Sequence, residues 1–440
     1  MVYLKREPNK DFIMEKTVQY ELQKNIKRVG HIDIPGGGQI VVDGNYAYVG
    51  HMKPPHGTTI LDVADPKRPK ILSMIELPDF YSHTHKVRVV GDLMFTNVEQ
   101  NDRHFLRISD QLENTRIRLN ETLGRQPTDT ELADGLGIDS KRLPELEAVL
   151  KRGYENGGFK IYDISDKYSP KLLSHTKTYG FGVHRFDVDE DYAYMSTEME
   201  GYVGNILVNY DISNPIKPEE VSRWWMEGQH LAGGETPTWS GYTNRLHHAM
   251  RVGNEMWAAV WHAGFRVIDV TNISSPKTIA SYNYHPPFPE PTHTVMPVPN
   301  LVSGRRIAIA VDEEHAHTPP GRLHGFMWIF DVTDFSDIKA LSAFDVSELD
   351  SPWSRAPGLF GAHQFREKID DTLIYLTWFA GGLRVVDVAD PMNPSEVAHF
   401  IPSPAGNEVA PQTNDVDIDK NGLIYLIDRN YGMDILEMTI

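Results

Sequence analysis

Leu383-Arg-Val-Val-Asp-Val-Ala-Asp-Pro391 carries two signals at once. Its apolar residues alternate as in a half-buried strand, and the Asp and Pro that follow build a turn. The same phrase recurs at 59–66, 159–166, 208–215, 265–272 and 328–334, with Pro66, Pro170, Pro215 and Pro276 closing four of those copies. A further strand follows each copy, as in Lys171-Leu-Leu-Ser. A hairpin precedes each, as in Val87-Arg-Val-Val-Gly-Asp-Leu-Met-Phe-Thr96. Four strands per repeat, at a period of roughly 40–60 residues, is the pattern of propeller blades. A last hairpin, Asp415-Val-Asp-Ile with Leu423-Ile-Tyr-Leu-Ile, runs into Met433-Asp-Ile-Leu-Glu without a fourth strand. Near the other end, 26–34 is a strand without a blade. Pairing the two removes both exposed edges. The expected fold is therefore an all-β, seven-bladed propeller over 1–440, closed between its N-terminal strand and its C-terminal blade.

The Asp-Ile/Val-Ser/Ala/Thr-Asp…Pro phrases resemble the LVIVD-repeat proteins over nearly the whole chain. That resemblance implies a propeller and no particular activity.

One stretch breaks the β pattern. Residues 105–154, inserted in blade two, read as helices near 110–117, 128–136 and 140–150. Thr128 with Glu131 forms a capping box, and Ser140 is placed to cap the next helix. Leu123 to Ile138 resembles a helical segment of bacterial RNA polymerase sigma factors. Acids and bases nearly balance there, so a lid or a homo-oligomer contact is expected rather than a DNA reader.

Composition narrows the partners. A net charge of −18 argues against nucleic acid, which requires a basic stripe. With no cysteine, disulfides and thiolate ligands are excluded, so a metal must use His, carboxylate, backbone or water. No apolar run is long enough to span a membrane, and Met1 to Lys24 is too charged for a signal peptide, so a cytoplasmic location is expected.

Aligning the hairpins by their apolar alternation places Gly38, His85, His184, His248, His293, His363 and Asn414 at one position in successive blades. Five consecutive histidines in register, from a chain holding 19, point to a ring of imidazoles around the channel mouth. His85, His184, His248 and His293 are the expected metal ligands, with His83 and His247 as neighbours one or two residues away. The second hairpin strands return to the same face bearing His51, Glu99, Glu198, His262, Asp312 to Glu314 and Asp428. Carboxylates there would fix the ligand tautomers. His363, Glu198 and Glu99 are the candidate proton-transfer groups. Long connections bring Trp239, Trp353 and Arg355 towards the mouth, and with His262 they are the candidate substrate-lining residues, suggesting a partly apolar or aromatic small molecule. His315 and His317 stand close enough for a second ion, although a polar loop accounts for them equally.

Imidazoles on inner propeller strands are similar to the plan of carotenoid-cleaving oxygenases, which implies ferrous iron. They are also similar to that of the selenium-binding/methanethiol oxidase family, which implies copper; the absence of cysteine departs from the latter. The expectation is a metal-dependent oxidase or oxygenase using Fe2+ or Cu. Non-redox lyase or hydrolase chemistry with Mn2+ or Zn2+ is the alternative on the same site, and a non-catalytic interaction propeller is the third reading.

Overall fold

The computed structural model describes residues 21–315 and 322–440; His317 and the first twenty residues lie outside them. Seven antiparallel sheets follow one another around a ring. Their innermost strands are Gly37–Asp43, Val87–Val90 with Ser82–His83, Val183–Val188, His248–Val252, Thr292–Pro297, Ala362–Phe365 and Thr413–Ile418. Closure is as the sequence predicts: Ile26–Pro35 pairs with Tyr431–Met438 as the outer strand of blade seven. Leu22–Lys24 goes on to blade six and gives it a fifth strand, where the repeat pattern predicts four.

The repeated phrase owes its form to two successive side-chain turns. Asp62, Asp163, Asp211, Asp269, Asp331 and Asp387 each accept the backbone N–H two residues ahead at 2.8–3.0 Å. Three residues on, Asp65, Asp166, Asn214, Asn272, Asp334 and Asp390 repeat the device at 2.8–3.2 Å. The outermost strand then ties its blade to the next. The hydroxyls of Ser73, Ser174, Ser222 and Ser342 donate to the carbonyls of Lys167, Pro215, Ile273 and Pro391 at 2.6–2.8 Å. Between blades the middle strands interlock: one buried cluster joins Trp257 and Val267 of blade four, Ile309 and Phe330 of blade five, and Leu376 and Trp378 of blade six.

The insertion is helical, with helices Arg103–Leu106, Leu112–Leu123, Asp129–Leu136 and Leu143–Arg152. Thr128 and Glu131 form the reciprocal capping box. Ser140 is not a cap: Asp139 takes that role by accepting the Lys141 N–H at 2.9 Å, and Ser140 opens the short turn that follows. No helix among the described residues is long and apolar enough to cross a membrane.

Candidate metal centre

Where the innermost strands of blades one, three, five, six and seven enter the channel, each carries a bulge or irregularity. Val183 and Arg185 face adjacent residues of the next strand, Thr197 and Ser196, leaving His184 as the extra residue. His293, Asn414 and Gly38 are the extra residues of blades five, seven and one. In blade six the irregularity spans His363 and Gln364. A bulged residue stands outside the ladder, and its side chain is re-aimed. The side chains of His184, His293, His363 and Asn414 turn into a cavity of about 450 Å³ at one mouth of the channel.

Blade four is out of step with the sequence alignment by one residue. His248 pairs in the ladder with Ala259, while the N–H of His247 reaches the carbonyl of that same Ala259 at 2.8 Å. His247 therefore faces the cavity. His248 lies in the layer beneath, its Nδ1 3.3 Å from Glu367 Oε1. The upper ring is thus Gly38, His85, His184, His247, His293, His363 and Asn414. The lower one is Gln39, Lys86, Arg185, His248, Thr294, Gln364 and Asp415.

With His83, the imidazoles form an unbroken arc. Ring centroids are 4.3 Å apart for His83 and His85, 5.3 Å for His85 and His184, and 4.8 Å for His184 and His247. The arc continues at 4.1 Å to His293 and 4.5 Å to His363. All six are buried. Burial, reinforced by neighbouring cations, holds His85, His184, His247, His293 and His363 well below the usual histidine range, so these rings are neutral at pH 7.

The hydrogen-bond partners assign the tautomers. His184 Nδ1 lies 3.1 Å from the Glu99 carboxylate, and His247 Nδ1 lies 2.8 Å from the His293 carbonyl. Both partners only accept, so each Nδ1 carries its ring's hydrogen and each Nε2 is an unprotonated lone pair; that of His184 also accepts an N–H of Arg103 at 3.4 Å. Those two Nε2 atoms face each other at 3.0 Å. Two lone pairs in that position repel, and a cation shared between them converts the repulsion into ligation. His363 Nδ1 is likewise committed to the Asn414 carbonyl.

Two sets of donors converge closely enough to hold an ion: His83, His85 and Glu99, and His247, His293 and Glu313, with the atoms of each set within 4.8 Å of one another. Each is two imidazoles and one carboxylate, a donor set that suits first-row metals and leaves coordination positions open. His184 touches both sets, Glu99 through Nδ1 and His247 through Nε2. Glu99 also accepts from His83 Nε2 at 2.9 Å and pairs with Arg103. His293 Nε2 receives an N–H of Arg185 at 3.1 Å, a bond that ligation through Nε2 would displace.

The other candidate residues lie elsewhere. Glu198 pairs with Arg107 of the insertion at 2.7 Å and borders a separate pocket with Tyr154, Phe181 and Tyr242. Trp239, Trp353, Arg355 and His262 are not among the residues lining the histidine cavity. Trp353 packs against the hydrophobic cluster of blades four to six, and Arg355 is exposed beside Glu348. Trp239 packs over Gly228, and His262 lies 3.1 Å from the Pro289 carbonyl. His51 bonds the Pro35 carbonyl and Thr59, and Asp428 accepts three backbone N–H groups. The cavity's aromatic wall is Trp261, which stacks on His247 at 5.0 Å with Arg245 4.4 Å from its ring centre. Its backbone is held at φ 55, a left-handed conformation that costs a bulky residue about 1–3 kcal/mol. Nothing in the sequence marked Trp261, since no glycine or turn signal announces that conformation.

Fold and site define a β-propeller with imidazole and carboxylate groups gathered at one channel mouth. More particularly, the chain carries LVIVD repeats: the LVIVD repeat model matches residues 37–74, 252–284 and 373–401, which fall on blades one, four and six. No curated protein matches the sequence. Among solved structures, a chain of the mitotic checkpoint complex aligns over 99% of this chain and 98% of its own at 9% identity and a TM-score of 0.53. The periplasmic gluconolactonase PpgL of Pseudomonas aeruginosa aligns over 87% and 88% at 11% identity and 0.52. The WD40 propeller domain of Doa1 aligns over 94% and 96% at 7% identity and 0.51. These likenesses are to the propeller fold alone.

Proposed function

We propose that the protein is a metal-dependent enzyme acting on a small organic molecule in the histidine cavity, with oxidase or oxygenase chemistry on Fe2+ or Cu as the leading reading. The observation that carries it is the pair of unprotonated Nε2 atoms, His184 and His247, facing at 3.0 Å. His247, His293 and Glu313 would hold the ion, with His184 completing the nitrogen set. A bound redox metal supplies O2 activation, and a redox-inert one supplies polarisation of the substrate.

The chain's own groups do the rest. Glu99 fixes the His184 tautomer and, through Arg103, ties the site to the helical insertion. His363 keeps its Nδ1 hydrogen on the Asn414 carbonyl and offers Nε2 to the cavity as a proton acceptor. Trp261 and Leu359 supply apolar wall.

Elemental analysis of the purified protein, with stoichiometry, tests the proposal, followed by O2-consumption assays. Bound iron or copper at one or more per chain is the expected result. Bound Zn2+ or Mn2+ would replace the redox reading with the lyase or hydrolase one. A protein that takes up no transition metal would leave the interaction propeller.

A further inference from the structure

Beneath the imidazole arc, most charged members of the lower ring are spoken for. Arg185 donates to Gln364 Oε1 at 2.7 Å and pairs with Glu367. Asp415 accepts the Ile40 N–H at 2.9 Å and an N–H of Gln364. Glu367 gathers Arg88 and Gln39 as well. Lys86 is the exception. Its side chain is 4% exposed and lines the histidine cavity. Its Nζ makes one hydrogen bond, 3.1 Å to the Gly38 carbonyl, an acceptor that Asn414 Nδ2 already shares at 2.7 Å. Among the described residues no carboxylate oxygen comes within 4.0 Å of that ammonium.

An ammonium has three hydrogens to donate, so two are left for whatever enters the cavity. Burial and Arg185 hold the Lys86 amine well below the ordinary lysine range, against the pull of Asp415 and Glu313, and an incoming anion favours its charged form. The surroundings reinforce the sign: Lys53, Lys86, Arg103, Arg185 and Arg429 line the cavity against Asp102 and Glu313. The arginines are already committed, Arg103 to Glu99 and Arg429 to Asn414 Oδ1 at 3.0 Å. What remains is an amine with one hydrogen bond in a cavity whose lining carries more cationic than acidic side chains. That suits a monoanionic carboxylate better than a phosphate dianion.

We infer that the substrate is a small organic carboxylate whose carboxyl group is received by the Lys86 ammonium, below the metal-binding arc. The inference deepens the proposed function by naming the substrate class, but capture of the anion requires no metal.

Calorimetric titration with sodium acetate tests it, using acetamide as the uncharged probe, on the protein as isolated and after dialysis against a chelator. The wild type binds acetate saturably and acetamide not at all. K86M weakens acetate binding by about tenfold or more, and K86R keeps part of it. A measurement on the unaltered protein guards against misfolded variants: acetate should slow reductive methylation of Lys86, but not of exposed Lys277, as read by peptide mass spectrometry. Equal acetate binding by wild type and K86M, or no protection of Lys86, overturns the inference. Metal content of the same samples keeps the two readings apart. Lys86-dependent acetate binding in a protein without metal sinks the enzyme proposal and leaves Lys86 as the receptor of a carboxylate ligand.

Discussion

Arg107 Nη2 donates to Glu198 Oε1 at 2.7 Å, joining the helical insertion to blade three beside the histidine cavity. Its guanidinium also lies 4.2 Å from the Tyr242 ring centre and 5.1 Å from that of Phe181. Four residues earlier on the same segment, Arg103 holds Glu99. Two acids at the ends of neighbouring blades' second strands are thus clamped by one short stretch of the insertion.

R107M should loosen the insertion without touching the imidazole arc. The expected result is faster hydrogen exchange across 103–152 and a loss of about 1.5–3 kcal/mol in local opening energy, with metal content unchanged. Exchange identical to wild type would show that the helices are held by other contacts.

The register of blade four makes a sharper prediction. H247A should lower metal content several-fold, whereas H248Q should leave it intact, because His248 faces Glu367 beneath the arc. Elemental analysis of the two variants checks it. Loss of metal in H248Q alone would restore the alignment read from sequence.

Two buried groups give stability opposite pH dependences. Burial pushes the Asp312 carboxyl up to about 7, despite bonds from Tyr284 and from Trp328 at 2.9 Å. The folded state binds that proton more tightly than the unfolded chain, so stability is lost as pH rises from about 4 to 7. Burial lowers His51 to about 4, so its contribution is complete above pH 6.5 and is lost as pH falls towards 4. Melting temperatures of D312N against wild type between pH 5 and 8 isolate the first effect. The difference should move in favour of D312N by about 2–3 kcal/mol across that range. A constant difference would mean that Asp312 ionises elsewhere.

Ring closure should be visible in denaturation. Ile34, on the N-terminal strand, is buried with Ile40 and Val49 of blade one and Ile427 and Met433 of blade seven. I34A should cost about 2–5 kcal/mol in urea unfolding. A cost no larger than that of an exposed substitution would indicate that the closing strand adds little.

The fold was legible in the sequence because each turn writes its own chemistry. Asp387 and Asp390, like the Asp or Asn residues in the same places of five other blades, spend a side-chain oxygen on a backbone N–H. The site was legible only to within a residue. Period-two reasoning assumes an unbroken ladder, and the ladder breaks at the ring. In blade four, where two histidines stand side by side, the count lands on His248 instead of His247. The lining aromatics failed for another reason: Trp239 and Trp353 sit on long connections whose path is set by packing against other loops and the core, which alternation does not encode. Lys86 escaped notice because a lone lysine on a strand ordinarily points to water.

The bulges at five of the channel entrances also separate chemistry from architecture. Because His184 or His293 lies outside the pairing of its strand, the donor at that point can be exchanged without disturbing the hydrogen bonds that build the blade. Gly38 and Asn414 show the same position filled without an imidazole in an otherwise regular blade. The propeller therefore offers changeable sockets on one circle in blades three, five, six and seven, whereas in blade one a side chain at Gly38 would run into the His85 carbonyl at 2.6 Å.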